Sequence, residues 1–454
     1  MHVGAISQDA RLSGSWPWSR ARQASPFLLL AVLMLVAAFL WAHLIAHVID
    51  YWDGASTELR EDFVAFYAAA SLVRGGLADA IYDPAVVAHV EETVLGRPAG
   101  RTGGLAFMNP PFVAGLLQPI TSLPYGEAQA VWFTVSVAAL AACLALLWPE
   151  LRRLRRRWAL AFLVAAIASY PAFCALLYGQ LSSLVLLSWV LFYRFERQGW
   201  AARSGLALAG ALIKPQLAVV PVLYLVVTGR WRALGGFACG AAALASLSVA
   251  LAGPEVVFVG YPAFLLDSLR WREEFGVTRI DMFGWSSFFT RVLPAADVTL
   301  GRMLTVVFSV ATLGAAIVVW RRRRGLEEIW APTLALAMAT ILVSPHLHTH
   351  DLEILLLPAA LFAAHRRDAM AIAVCGFFLF AVPLGMYGVN LATPALAAAL
   401  AAALAVLLAD ALNAGPDAGA SSALGTAARW VSRPFAGPQH YRVVERQAAR
   451  RTPP

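Results

Sequence analysis

Charge is scarce in this 454-residue chain: Asp, Glu, Lys and Arg together make up 14% of it, against 60% apolar residues. So little polar side chain cannot cover a water-soluble domain of that size, and a mean hydropathy of +0.68 says the same. Cysteine is also sparse. The four present, Cys143, Cys174, Cys239 and Cys375, all sit in apolar runs and form no CxxC pair, which excludes a disulfide framework or a zinc knuckle and leaves small core residues. The two-residue alternation of barrel strands is missing, as are a P-loop and a DxD motif in a soluble domain. Those absences argue against a β-barrel and against ATP-driven or nucleotide-sugar chemistry. The formal charge of +8 does not imply nucleic acid, because the arginines cluster beside apolar runs.

What is present is long apolar runs. In hydrocarbon every backbone polar group must be paired internally, so such runs form helices. The expectation is an all-α polytopic membrane protein of about 10–12 transmembrane helices. Spans fall near 27–47, 128–148, 158–177, 181–194, 204–213, 217–228, 231–251, 300–320, 328–343, 352–364, 369–387 and 391–411. Several fall short of a full crossing and read as tilted, broken or re-entrant. The chain divides into a cytoplasmic segment 1–26, a membrane domain 27–412 and a flexible basic cytoplasmic tail 413–454. The first run, from Phe27 to His47, is long for a signal sequence and is followed by no small-residue cleavage site, so it reads as a retained span.

Basic clusters set the orientation. They include Arg20/Arg22, Arg152–Arg157, Arg194/Arg197/Arg203, Arg230/Arg232, Arg321–Arg324 and Arg366/Arg367. With these in the cytoplasm, the N-terminus is cytoplasmic, the protein is multi-pass in the inner (plasma) membrane, and the segment 50–104 is an outer loop. That loop carries nine acids against four arginines, which agrees. Arg203 and Arg230 then share one side, so 204–228 reads as a two-helix hairpin with its Lys214-Pro215-Gln216 turn at or near the outer face. A single long helix is the alternative.

Four polar groups come to one side in this topology: Glu61-Asp62 with Tyr67, Tyr178-Gly179-Gln180, Lys214-Pro215-Gln216, and the histidine loop Ser344–Asp351. Ionisable residues at a membrane edge are costly and so are candidates for function. Against that, Asp62 also reads as a solvated loop acid, Lys214 as a snorkelling cation, Gln180 as a helix cap, and His346, His348 and His350 as interface residues. Three alternating histidines with Asp351 also admit a divalent metal. The spacing suits an extended loop, and no cofactor is expected. The tandem prolines of Asn109–Ala128 suggest a broken helix at the outer interface.

The pieces in order are EDFVAFYAAASLVRGG with AIYDP, NPPF with LPYGEAQAVW, YGQ, IKPQ closed by GRWRA, and SPHLHTHD. This series resembles the family 87 glycosyltransferases, over roughly residues 27–390. The resemblance implies a GT-C-type bundle. It also implies inverting transfer of a hexose, in family precedents mannose, from a polyprenyl-phosphate sugar to a lipid or glycan acceptor on the outer face. It matches Asp62 to a catalytic acid and His350 to the histidine of the late loop, without fixing the sugar or acceptor. With it, Asp62 becomes a base. Lys214, Gln216, Tyr178, Gln180, Tyr67, His346, His348 and Asp351 become groups that bind substrate or donor phosphate. Membrane lipids are the other expected partners, and no nucleic acid. A transporter or flippase of a lipid-linked sugar is the rival function, and an envelope scaffold a third.

Overall fold

The computed structural model describes residues 62–96, 104–271, 274–275, 282–293, 298–323, 330–366 and 392–413, together with scattered positions between Leu35 and Ile49. The expected span at 369–387, the tail and Glu61 lie outside the described residues, and 27–47 is described only at isolated positions. The described residues hold helices and no strand. The chain forms the expected all-α membrane protein. Among the described residues four helical stretches are long and apolar enough to cross a bilayer: Tyr125–Leu151, Arg156–Leu177, Trp231–Ser268 and Val298–Arg322. The other expected spans among the described residues fall in shorter helices, apart from 391–411, which lies in the 22-residue helix Ala392–Asn413.

Helix α1 (Phe63–Arg74) has no glycine or proline until Gly75–Gly76 stop it. It is apolar on every side, and all but Ser71 and Arg74 are buried. Part of the segment expected as an outer loop is therefore a helix buried against its neighbours, followed by α2 (Pro84–Leu95), which starts on an Asp83 cap. Next come α3 (Pro111–Leu117), a short turn of helix to Ser122, and the spanning α4 (Tyr125–Leu151). The prolines do break a helix, as the sequence suggests, but α3 is buried against α1. Helices α5 (Arg156–Ile167) and α6 (Tyr170–Leu177) form one broken crossing joined at Ser169, whose hydroxyl caps α6. It starts at the Arg152–Arg157 cluster, so Tyr178–Gln180 lies at the opposite end.

After α7 (Ser182–Arg197), α8 (Ala201–Ala209) runs on through a tight turn of helix to Ile213; α9 (Val219–Val227) follows Lys214–Leu217, and α10 (Trp231–Glu255) follows that. The backbones of α8 and α10 nearly touch. A Cβ added at Gly236 would stand 1.9 Å from the Ala202 carbonyl oxygen, and one at Gly205 would stand 1.7 Å from that of Ala233. Arg230 also pairs with Glu196, so α8 and α10 start at the same end. The chain therefore runs along α8, reverses at Lys214–Pro215 and returns along α9. This is the hairpin. Its arms, at 1.5 Å per residue, reach roughly 14–20 Å, short of a hydrocarbon core of about 30 Å. The turn is buried among the surrounding helices, with Lys214 only 6% exposed.

Close approach here makes a direct prediction. Gly236→Ala should force α8 and α10 apart and cost at least the 1–3 kcal/mol of ordinary overpacking. At Gly235 an added Cβ meets nothing within 4 Å, so Gly235→Ala should be neutral or stabilising by about 0.5–1 kcal/mol. Thermal unfolding of the two variants in detergent checks the pair; equal melting temperatures would contradict the packing.

The chain continues through α11 (Tyr261–Ser268), α12 (Trp285–Val292), α13 (Val298–Arg322) and α14 (Trp330–Val343). The histidine loop leads into a tight helix Thr349–Leu355, then α15 (Leu356–Arg366) and α16 (Ala392–Asn413). Two large apolar clusters result, one centred on α4–α9 with α14 and α15, the other on α1 and α3. Leu212 and Ile213 pack against both, so the Lys214 turn sits on the seam.

Candidate active site

A line of buried hydrogen bonds crosses that seam. Two segments far apart in sequence converge on the Lys214 ammonium, which donates to Asp351 Oδ1 at 2.6 Å, to Gln180 Oε1 at 2.8 Å and to Ser182 Oγ at 3.3 Å. The Gln180 amide nitrogen in turn donates to Asp62 Oδ2. Asp351 also accepts from Ser182 Oγ at 3.0 Å and from the His348 backbone N–H at 3.2 Å, and its Oδ2 lies 3.6 Å from His350 Nε2. Asp62, Gln180, Lys214, Asp351 and His350 thus form one connected array.

Local geometry explains each placement. Gly179 has φ +65°, and a Cβ there would meet that of Phe63 at 2.7 Å. That tight turn lets Tyr178 O accept the Phe63 N–H at 3.1 Å, while Gly179 O accepts from Trp132 Nε1 at 2.7 Å. The start of α1, and with it Asp62, is thereby fixed beside Gln180. Asn109 Nδ2 donates to Ile213 O at 2.7 Å and ties the proline segment to the hairpin turn. In the late loop, the His348 side chain accepts the Asp351 backbone N–H while the Asp351 side chain accepts the His348 backbone N–H, a reciprocal cap on Thr349–Leu355.

The electrostatics follow from burial. Asp62 is raised to about 6, first by desolvation, opposed by the Gln180 hydrogen bond and the Lys214 charge. Burial would also raise Asp351, but Lys214 and its other donors hold it below the usual carboxylate range. His350 is pushed well down by burial and by Lys214, so it is a neutral imidazole. At neutral pH the arrangement holds one ion pair, one proton-accepting carboxylate with Oδ2 occupied, and the neutral imidazole of His350. It can take a proton from a hydroxyl placed at Asp62.

Not every expected residue joins this array. Tyr67 donates its hydroxyl to Leu123 O at 2.8 Å inside an aromatic cluster with Phe63 and Tyr125. It is a packing residue, because its one donor is spent away from Asp62. Gln216 is half-buried on the turn beyond Lys214, and no hydrogen bond links it to Gln180 or Asp351. Tyr178 contributes its carbonyl. His346 and His348 are half-buried, with ring centroids 4.9 Å apart, and His348 stands 5.6 Å from His350. Lys214 does not offer a free ammonium to a phosphate, as expected of it; its three protons already have three acceptors. The sequence reading missed Ser182 and Asn109. A serine following YGQL in an apolar run was the available signal. Among the described residues no group of three or more His, Cys, Asp or Glu is disposed to hold a metal ion.

A family model described as glycosyltransferase family 87 matches residues 107–345, more than half of the chain. The match includes Asn109, Gln180, Ser182, Lys214 and Ser344; Asp62, His350 and Asp351 flank it. No curated protein and no solved structure matches.

Proposed function

Since the chain belongs to glycosyltransferase family 87, a family of membrane glycosyltransferases, we propose that it moves a hexose, with mannose the leading candidate, from a polyprenyl-phosphate sugar to a lipid or glycan acceptor at the outer face of the inner membrane. The observation that carries this reading is the buried Asp62–Gln180–Lys214–Asp351 array at the end of the bundle opposite the Arg152–Arg157 cluster. In the proposed step, Asp62 takes the proton of the acceptor hydroxyl as that oxygen bonds to the anomeric carbon. The bond from that carbon to the phosphate oxygen breaks on the opposite side, so configuration inverts and polyprenyl phosphate leaves. A carboxylate held near 6 suits this work, being ionised at neutral pH yet more basic than a solvated aspartate. The imidazoles of His346, His348 and His350 are the groups proposed to donate to the departing phosphate, with Tyr178 and Gln216 proposed as further substrate contacts. Lys214 contributes its field and not a direct contact. The sugar's lipid chain lies against the apolar exterior of the bundle.

Reconstituted protein given radiolabelled polyprenyl-phosphate hexoses and a membrane extract tests the proposal. The expected result is label moved from donor to a new product. Label carried across the bilayer with its donor bond intact would instead establish a flippase.

Orientation is tested separately. His89 and Arg155 are both exposed and lie on opposite sides of the proposed topology. In a background lacking exposed cysteine, His89→Cys should react with a membrane-impermeant maleimide in intact cells, and Arg155→Cys only after lysis. The reverse pattern would invert the protein and place the acidic site in the cytoplasm.

A further inference from the structure

We infer that Gln180 is a positioning residue that orients and tunes the Asp62 base, and that Lys214 acts on Asp62 through it. The inference rests on the reading of Asp62 as the base.

The argument starts from hydrogen-bonding capacity. A side-chain amide has one face that accepts and one that donates, and rotating it by a half turn exchanges them. An ammonium has no acceptor. Gln180 therefore must turn its carbonyl oxygen to Lys214, at 2.8 Å, and this leaves its NH₂ facing Asp62. The opposite rotamer would set NH₂ against ammonium and carbonyl against carboxylate, unfavourable at both ends. Lys214 is itself held by Asp351 at 2.6 Å and Ser182 at 3.3 Å, so it cannot swing away. It is also the only lysine in a chain with 35 Lys and Arg residues. A compact point charge suits a buried, three-acceptor pocket better than a planar guanidinium. The chain Asp351–Lys214–Gln180–Asp62 therefore has a direction, and its end is a fixed N–H on Oδ2 of Asp62.

Two consequences follow. The Asp62 carboxylate is pinned in rotation, with Oδ1 the oxygen left for the acceptor hydroxyl. The N–H also stabilises the charged form against the desolvation of the site. The groups facing Asp62 are Gln180 from the turn before α7, Lys214 from the hairpin and Asp351 from the late loop. Glu91 of α2 and Cys174 of α6 also feel its charge, and burial raises Glu91 to about 7. Gln180 and Lys214 favour the carboxylate form, and the acidic neighbours oppose it. Removing Gln180 therefore moves the base upward in pKa.

The test is the pH dependence of kcat at saturating donor, for wild type, Gln180→Leu, Gln180→Glu and Asp62→Asn. Wild type should show a rising limb centred near pH 6. In Gln180→Leu the midpoint should move up by about one pH unit, a tenfold loss of carboxylate below it. Activity should then recover largely at pH 8.5, with KM for donor within about twofold of wild type. Gln180→Glu is isosteric, keeps an acceptor toward Lys214 and sets a second carboxyl against Asp62, so it should fold and shift the midpoint upward as well. A Gln180→Glu profile with the wild-type midpoint, merely scaled down, overturns the inference. Wild-type activity in Asp62→Asn is a separate failure, that of the base itself.

Discussion

Asp62→Asn should leave the protein folded and reduce transfer by about 10²- to 10⁴-fold, the usual cost of losing one general base. Asparagine has nearly the same shape and can still accept the Gln180 N–H through its carbonyl oxygen, so α1 and the Tyr178 turn should keep their positions. What it cannot do is take up a proton near neutral pH. The pH profile sharpens the expectation. Asp62 works in its carboxylate form, and with its value near 6 the charged fraction falls as pH drops through that point. Wild-type activity should therefore decline on the acid side of pH 6, and the residual activity of Asp62→Asn should lack that limb. Glu61→Gln is the control, since the neighbouring acid should retain most activity. Rates measured with labelled donor, beside donor binding and melting temperature, decide the matter. If Glu61→Gln is dead and Asp62→Asn active, the base is the other acid; if both are active, the search moves to the histidine loop.

The polar members of this site were visible in the sequence because apolar runs set them off. An ammonium in ALIKPQLAVV or an amide in LLYGQLSS has little other use in a membrane bundle. Even the hairpin followed from counting, since Arg203 and Arg230 had to share a side. The partners of each group were not legible, because they depend on how distant helices pack. Lys214 meets Asp351 137 positions away, and nothing in either motif announces that contact. The missing pairing also explains the error over Lys214, which reads as a free cation until its three acceptors are found. Helix α1 was misjudged for a related reason. Acids on either side make 50–104 read as an outer loop, yet FVAFYAAASLV is apolar on every face and had to be buried. Tyr67 went with it, into an aromatic cluster away from Asp62. Asn109 reads as punctuation before two prolines, and only the fold turns its amide toward the Ile213 carbonyl.

Breaking the Lys214–Asp351 pair should have the largest effect on stability. Both side chains are buried, Asp351 at 1% exposure and Lys214 at 6%, where removing one partner of an ion pair typically costs about 3–5 kcal/mol. The two single variants should not be equal. Asp351→Ala leaves an ammonium with only the neutral acceptors Gln180 and Ser182. Lys214→Met leaves a carboxylate that still accepts from Ser182 and from the His348 N–H, so it should cost less. The double variant Lys214→Met/Asp351→Asn removes both charges but keeps an acceptor for Ser182 and His348. It should recover most of the lost stability, because an uncharged pair of similar volume avoids the large cost of burying an unpaired charge. Activity should not return with it, since Gln180 then has no ammonium to fix its amide toward Asp62. Thermal unfolding in detergent, run as a double-mutant cycle beside the transfer assay, separates the two roles. Additive single costs would mean the two charges do not interact, and a double variant that is both stable and fully active would remove Lys214 from the mechanism.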